Sequence, residues 1–330
     1  MAQLPDVQRG AGGQNIWHDG RVAHPDRPDG PAIETRNLAK QYGRTAALAG
    51  LTMRVERGEA FGFLGPNGAG KTTAVKLLVG LASPSGGDAT VLGAPLGDRA
   101  TRRRIGYLPE LFRYQGWLRA REVLRAHCEL AGIPARDWPR EIGGALELVG
   151  LRDRAGDPVA TFSKGMQQRL GLGVALLGRP DLVLLDEPTS ALDPVGRQDV
   201  RRIIGELRAR GVAVFLNSHL LGEVERVCDR VAIVNRGRVV AAGTLAELLG
   251  PRAVRIRVAG LTPEHVLRLQ SFGRLSFDGV ELMASELAPN LVPDLVAAIV
   301  GLGGRISSVE QERETLEERF MELLGAERSA

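Results

Sequence analysis

A glycine-rich segment in the first quarter of the chain carries residues that could bind a triphosphate. Residues 65–72 follow the pattern G-x-x-x-x-G-K-[ST]. Glycines let successive backbone N–H groups point toward one centre, and a helix that follows adds its positive N-terminal end. Lys71 is predicted to bring a positive charge to the β- and γ-phosphates, and the Thr72 hydroxyl is predicted to bind Mg²⁺. The predicted phosphate-binding residues are Gly65, Pro66, Asn67, Gly68, Ala69, Gly70, Lys71, Thr72 and Thr73.

The residues on either side of this segment predict the secondary structure that a P-loop needs. Residues 59–64 are typical of a short buried strand, and residues 72–79 are typical of a helix. Strand, loop and helix in this order form the geometry of the motif. The alternative is an ordinary glycine-rich turn that happens to carry a lysine. The order of the elements favours the P-loop, and therefore a site for a nucleotide and a cation.

A second feature is an apolar run that ends in two carboxylates, at residues 182–187. A short uninterrupted apolar run is typical of a central parallel strand that is covered on both faces. Asp186 is placed to hold Mg²⁺ through water, and Glu187 is placed to act as general base or to position the attacking water. The alternative is a pair of solvated acids at a strand end.

A third segment, residues 161–169, places a hydroxyl and a glycine at the start of a predicted helix. Ser163 and Gly165 offer an O–H and an unobstructed N–H there, and a helix N-terminus favours anions. The segment resembles the L-S-G-G-Q signature of ABC ATPases, with Phe162 in place of the leucine and Lys164 at a small-residue position. The alternative is an amphipathic helix that Ser163 caps and that binds no ligand.

The resemblance to ABC ATPases implies that this signature caps the γ-phosphate bound in a second copy of the chain. Residues 190–193 match the S-A-L-D sequence of the D-loop, which crosses to the partner subunit in that family. The residues assigned to nucleotide contact on this basis are Ser163, Lys164, Gly165, Gln167 and Asp193.

Two single residues are assigned by the same resemblance. His219 follows a predicted strand at the spacing of the family's switch histidine, which contacts the γ-phosphate; a structural histidine is the alternative. Tyr42 matches the aromatic residue that stacks on adenine, and the alternative is a strand-end tyrosine that packs on the core. With Glu187, His219 completes the predicted catalytic pair.

Glu110 departs from the family pattern. Residues 105–110 match the Q-loop, where a glutamine normally reaches Mg²⁺, but this chain has a glutamate. A carboxylate can still bind Mg²⁺ and adds negative charge beside the γ-phosphate. The predicted metal-binding residues are therefore Thr72, Asp186 and Glu110. The form Gly-Tyr-Leu-Pro-Glu resembles exporter ATPases of the ABC-2 type.

Composition limits the class of protein. The chain has 330 residues, two cysteines and a formal net charge of +4, with 4% aromatic residues. No apolar run approaches the roughly 18 residues that span a bilayer. Two cysteines without ligand spacing fit a reducing cytosol and predict no metal cluster. The modest charge and few aromatic residues give little support to nucleic-acid binding, and we expect none.

The predicted fold class is α/β, with a P-loop NTPase core of ABC type. We expect a disordered leader at residues 1–31 and an ATPase domain at residues 32–249, the latter with an antiparallel β subdomain. A helical subdomain is expected at about residues 111–165. Residues 250–330 follow the order β-α-β-β-α-β and end in a helix, which predicts a small C-terminal α+β domain of ferredoxin-like type.

The resemblance implies an ATP-hydrolysing subunit of an ABC transporter, of the exporter kind, with ATP and Mg²⁺ as cofactors. It further implies a head-to-tail homodimer around two nucleotides, a separate integral-membrane permease and a place on the cytoplasmic face of the membrane. Two alternatives stay open: a soluble ABC ATPase that acts on the ribosome or DNA, and an inert nucleotide-binding regulator.

Overall fold

The computed structural model describes residues 30–190, 192–249, 253–285, 287, 289–312 and 315–329. The leader predicted at residues 1–31 lies outside the described residues except for its last two positions. Ala191, the second residue of the predicted D-loop, also lies outside them.

The first three quarters of the described chain contain strands and helices in mixed order, and the last quarter forms a smaller α+β unit. The strands are β1 (Ile33–Tyr42), β2 (Thr45–Val55), β3 (Ala60–Leu64), β4 (Gly86–Val91), β5 (Ala94–Pro95), β6 (Ile105–Leu108), β7 (Leu182–Asp186), β8 (Ala213–Asn217), β9 (Arg230–Asn235), β10 (Arg238–Thr244), β11 (Ala253–Ala259), β12 (Arg274–Phe277), β13 (Glu281–Ser285) and β14 (Arg305–Glu312). The α-helices are α1 (Lys71–Leu78), α2 (Arg99–Arg102), α3 (Ala120–Leu130), α4 (Trp138–Leu148), α5 (Lys164–Ala175), α6 (Pro194–Ala209), α7 (Leu221–Val227), α8 (Leu245–Leu248), α9 (Pro263–Leu269), α10 (Val292–Gly301) and α11 (Leu316–Ser329).

The central sheet has six strands in the order β10-β9-β3-β8-β7-β6. Strands β9, β3, β8, β7 and β6 are parallel, and β10 pairs with β9 in the antiparallel sense. Every residue of β3, β7 and β8 is buried, as expected for strands covered on both faces. The aromatic rings of Phe61 and Phe63 pack against Phe215 between β3 and β8. This sheet brings several strand ends to one edge, where the polar residues lie.

A second sheet of four strands, in the order β2-β1-β4-β5, is antiparallel and lies on one side of the P-loop helix α1. The sequence predicts two of its strands at residues 33–36 and 51–55, but both strands are longer. Its apolar side chains share one buried cluster with α1 and with one face of the central sheet. The hairpin of β1 and β2 thereby reaches the edge of the nucleotide cavity described below.

The helices α3 and α4 lie between β6 and the signature helix α5 and pack on α5. Their buried side chains belong to the cluster that covers the other face of the central sheet. The two cysteines are free and buried, Cys128 in α3 and Cys228 just after α7. Within the described ranges, no helix combines the length and the apolar character needed to span a bilayer.

The C-terminal region forms its own four-stranded antiparallel sheet in the order β12-β13-β11-β14. This is the strand order of a ferredoxin-like β-α-β-β-α-β unit, in which the first strand lies between the third and the fourth. Helices α9 and α10 cover one face and share a separate apolar core with the sheet. The last helix, α11, is longer than the predicted helix and does not stay with this unit. It packs instead on α7 and α8 of the preceding part of the chain.

Candidate functional site

A cavity of about 660 Å³ lies at the carboxyl ends of the central strands, which is where open α/β sheets bind ligands. Its walls include the whole glycine-rich loop, the start of α1 and the turn after β8. The lining residues are Thr45, Ala46, Ala47, Gly65, Pro66, Asn67, Gly68, Ala69, Gly70, Lys71, Thr72, Thr73, Glu110, Glu187, Asn217, Ser218, His219, Leu221 and Phe320. All nine predicted phosphate-binding residues of the loop are among them.

Two glycines of the loop are required by close backbone contacts. A Cβ atom at Gly65 would lie 2.4 Å from the Val234 carbonyl oxygen, and one at Gly70 would lie 2.3 Å from the Ala47 carbonyl oxygen. Gly70 also has a φ of 99° and immediately precedes α1. A side chain there would therefore clash with the Ala47 carbonyl oxygen and would also be strained by the positive φ. The loop can therefore turn its amide groups toward the cavity only with glycine at these positions.

Lys71 lies folded over its own loop. Its ammonium group donates hydrogen bonds to the carbonyl oxygens of Gly65, at 2.7 Å, and Pro66, at 3.2 Å. Burial lowers the pKa of Lys71, while the carboxylates of Glu187, Asp186 and Glu110 act in the opposite direction. Lys71 lines the cavity, where its ammonium group can interact with phosphate oxygens.

Glu187 and His219 meet inside the cavity. Nδ1 of His219 lies 2.8 Å from Oε2 of Glu187, at ion-pair distance but outside hydrogen-bond geometry, so the attraction depends on the charge of the imidazole. Glu187 has a positive φ of 53°, a conformation that non-glycine residues rarely adopt. Its backbone N–H donates to the Asn217 carbonyl oxygen at 2.8 Å, which holds it at the end of β7. A residue held in this way at a cavity wall is typical of a functional position.

Asp186 lies behind this pair and is only 2% exposed. The Asn217 side-chain amide donates to one of its carboxylate oxygens at 2.5 Å. Burial raises the pKa of the Asp186 carboxyl, and the bond from Asn217 lowers it. Asp186 is not among the cavity-lining residues, so it can reach a bound cation only through water or a nearby ligand.

These residues fit a bound Mg²⁺. Thr72 is exposed at the cavity wall, and the buried Asp186 carboxylate lies within electrostatic range of Lys71, the residue before Thr72. Mg²⁺ keeps several waters and binds through one or two protein oxygens together with substrate phosphates. Within the described residues there is no cluster of three histidine, cysteine or acidic side chains that would form a separate metal cage.

Glu110 lines the same cavity from the segment after β6, and its side chain is exposed. Its charge raises the pKa of both Lys71 and Asp186, so its carboxylate lies within electrostatic range of the P-loop lysine and of the buried acid. The sequence departs from the family pattern at this position, yet the structure places the glutamate at the predicted wall.

The signature residues lie elsewhere. Ser163, Lys164 and Gly165 line a second cavity of about 440 Å³ with Asp193, between the starts of α5 and α6. The Ser163 hydroxyl accepts from the Met166 N–H at 3.2 Å, and Asp193 accepts from the Gly196 N–H at 2.8 Å, so each caps its own helix. Among the described residues, the two cavities share no lining residue. A single chain does not bring the signature to its own P-loop.

Two more predicted residues lie near these cavities without lining them. Gln167 turns back to donate to the Phe162 carbonyl oxygen at 3.1 Å. Tyr42 is 49% exposed and pairs in register with Thr45, which lines the nucleotide cavity. The Lys40 ammonium lies 4.9 Å from the centre of the Tyr42 ring. Tyr42 thus stands at the rim and is not packed in the core as the alternative supposed.

The sequence missed three parts of the cavity. Residues 45–47 line one part, the end of β8 and the residues after it line a second part through Asn217, Ser218 and Leu221, and Phe320 lines a third part from α11. Asn217 ends a buried strand at the same edge of the sheet as Asp186, and a polar residue at that position was a signal that the sequence contained. Leu316, Phe320 and Leu323 have helical apolar spacing, but that pattern does not say where the helix packs.

Comparisons with known proteins agree with this geometry. A family profile described as ABC transporter matches residues 48–190. An uncharacterized ABC transporter ATP-binding protein of Nostoc sp. is 42% identical over 302 residues, covering 88% of this chain and 88% of that protein. The Nod factor export ATP-binding protein I of Sinorhizobium fredii is 36% identical over 292 residues, covering 79% and 83%. A solved ATP-binding subunit of an ABC transporter superposes with a TM-score of 0.61 and 33% identity, over 66% of this chain and 91% of that one.

Proposed function

This chain belongs to the ABC transporter ATP-binding proteins, and on that premise we propose that it drives an exporter as one half of a head-to-tail dimer. Binding of ATP and its hydrolysis to power transport are the activity of the family. The direction of transport rests on the form of the segment around Glu110 and on a relative whose name includes Nod factor export. The alternatives, an ATPase of the ribosome or DNA and an inert regulator, find no support among these relatives.

The separation of the two cavities is the observation that carries this proposal. The P-loop cavity holds Lys71, Glu187 and His219, and the signature cavity holds Ser163 and Gly165. A γ-phosphate on the P-loop of one copy would be closed off by the signature of the other copy. Each site is then incomplete without a partner subunit, which supports a dimer around two nucleotides.

Within such a site, the residues divide the work of hydrolysis. The P-loop amides and Lys71 hold the β- and γ-phosphates, and Tyr42 supports the adenine from the rim. Glu187 positions the attacking water and accepts its proton as the water oxygen bonds to the γ-phosphorus and the bond to ADP breaks. His219 contacts both the Glu187 carboxylate and the γ-phosphate and so fixes their relative positions. A Mg²⁺ ion held by Thr72, Asp186 and Glu110 would neutralise the phosphate oxygens.

We expect the Glu110 side chain to act through an oxygen. Glu110→Gln should retain most of the ATPase activity, because the amide still offers an oxygen, and Glu110→Ala should lose roughly tenfold more. Removal of the carboxylate should also tighten ATP binding at low Mg²⁺, where repulsion from the triphosphate is least neutralised. Nucleotide affinity and turnover across a Mg²⁺ series would be measured for the three proteins. Identical behaviour of all three would mean that Glu110 points away from the nucleotide.

The permease is proposed to dock on the helical subdomain. Leu111 is 87% exposed and Trp117 is 77% exposed, and both lie between Glu110 and α3. Large apolar side chains that are exposed in one short segment suggest an interaction surface. Their position next to Glu110 would connect a membrane partner to the nucleotide cavity. Docking there would hold the chain on the cytoplasmic face of the membrane.

The docking proposal predicts a selective loss of binding. Trp117→Glu should reduce co-purification with the proposed membrane permease by about tenfold or more, because a charge would replace an aromatic side chain that is buried on docking. ATPase activity of the isolated subunit should change little. Leu130→Glu is the control, since Leu130 is 82% exposed at the far end of α3. Equal loss for both variants, or for neither, would count against this surface.

A further inference from the structure

The last helix of the chain is part of the wall of the nucleotide cavity. Helix α11 follows the C-terminal sheet but packs on α7, the helix that begins two residues after His219. The Leu316 side chain at its start is fully buried, and the Leu316 N–H donates to the Glu225 carboxylate on α7 at 3.3 Å. Leu323, two turns further on, packs on the same apolar core. Buried apolar side chains and a hydrogen bond therefore fix α11 to α7.

One side chain of α11 reaches further than the others. Phe320 lies one turn after Leu316, so the two residues share a face of the helix. It packs on the same core and also lines the nucleotide cavity, whose walls include Leu221 and His219. The neighbouring Met321 is 65% exposed and points to solvent. Phe320 is thus the member of the C-terminal region, among its described residues, that stands at the site of chemistry.

His219, which lines the same cavity as Phe320, needs support from its surroundings. The His219 side chain is 57% exposed, so packing of its own ring restrains it little. It sits on a short turn between Asn217, fixed in β8, and Leu221, the first residue of α7. The position of Leu221 therefore decides where this turn can go. Leu221 and Phe320 are both partly buried against the same apolar core.

We propose that Phe320 is a positioning residue for ATP hydrolysis. By packing at the start of α7, its ring holds the His219 turn against the γ-phosphate end of the cavity. The C-terminal unit is coupled through α11 to the rate of turnover, because a shift of this helix would move the wall that carries His219. This inference rests on the role proposed above for His219, and its test separates the two.

Truncation of the ring should slow turnover without loss of nucleotide binding. Phe320→Ala should lower kcat by about tenfold and leave KM for ATP within about twofold, because the P-loop that binds the phosphates is untouched. Phe320→Leu should restore most of the rate by refilling the space. Leu323→Ala is the matched control: it removes a similar contact of the same helix with the same core, but Leu323 does not line the cavity. Thermal midpoints would show that each variant is folded.

A double-substitution cycle tests the route through His219. If Phe320 acts by placing His219, then Phe320→Ala should cost almost nothing further in a His219→Ala background. Additive losses would overturn the inference, as would equal losses of kcat in Phe320→Ala and Leu323→Ala. Wild-type activity in His219→Ala would overturn both the proposed role of the histidine and the route through it. A lower kcat in Phe320→Ala that disappears in the His219→Ala background would support both the role of His219 and the positioning role of Phe320.

Discussion

Glu187→Gln is expected to reduce ATP hydrolysis by at least about 100-fold while ATP binding stays intact. The amide cannot accept the proton of the attacking water, but it has almost the same shape. The Glu187 backbone is held without the carboxylate, because its N–H donates to the Asn217 carbonyl oxygen and the Ser190 hydroxyl donates to the Glu187 carbonyl oxygen at 3.0 Å. The P-loop keeps Lys71 and its amides, so the phosphates are still held.

Loss of hydrolysis with intact binding should trap the assembled state. With ATP and Mg²⁺ present, the Glu187→Gln protein should elute at the mass of a dimer, whereas the wild-type protein should return to the monomer as ATP is consumed. Light scattering coupled to size separation would measure this. Glu129→Gln is the control, since Glu129 is an exposed carboxylate on α3. A Glu187→Gln protein that hydrolyses at the wild-type rate would remove Glu187 from its proposed role.

The predicted fold class is confirmed, because its signals are local. The glycine pattern fixes a strand, a turn and a helix around residues 65–72, and the apolar run at residues 182–186 can be buried only inside a sheet. The alternation of strands and helices then fixes the parallel order. The ferredoxin-like order at residues 253–312 follows from the same periodicities. The domain boundaries themselves stay a prediction.

The candidate site was predictable where a motif carries its own geometry and not where two distant segments meet. Lys71, Glu187 and His219 come together because the carboxyl ends of neighbouring strands share one edge. The place of Phe320 depends on how α11 packs after a whole intervening unit, which no periodicity specifies. The pairing of Asn217 with Asp186 was predictable only in part: both residues end buried strands, but the register that brings them side by side is not given by the sequence.

Lys71→Ala and Ser163→Arg should each abolish most of the activity, by about 100-fold or more, but in different halves of the composite site. Lys71 is the cation that offsets the charges of Glu187, Asp186 and Glu110, so its loss leaves Glu187 and Glu110 at the cavity wall, and the buried Asp186 behind them, without a positive partner in the P-loop. Ser163 is exposed at the mouth of the second cavity, where an arginine would put bulk and charge into the seam with the partner. Ser163→Ala controls for the lost helix cap, which should cost about 1 kcal/mol of stability without blocking the seam.

A mixture of the two inactive variants separates a composite site from a site within one chain. In a heterodimer of Lys71→Ala with Ser163→Arg, one site has both substitutions and the other has neither, because each site joins the P-loop of one chain to the signature of its partner. Activity should therefore rise when the two variants are mixed, toward that of dimers with one working site. If each chain used its own signature, every site would keep one substitution and mixing would restore nothing. Full activity of the Ser163→Arg protein alone would also contradict the head-to-tail arrangement, since the seam would then tolerate an arginine at its centre.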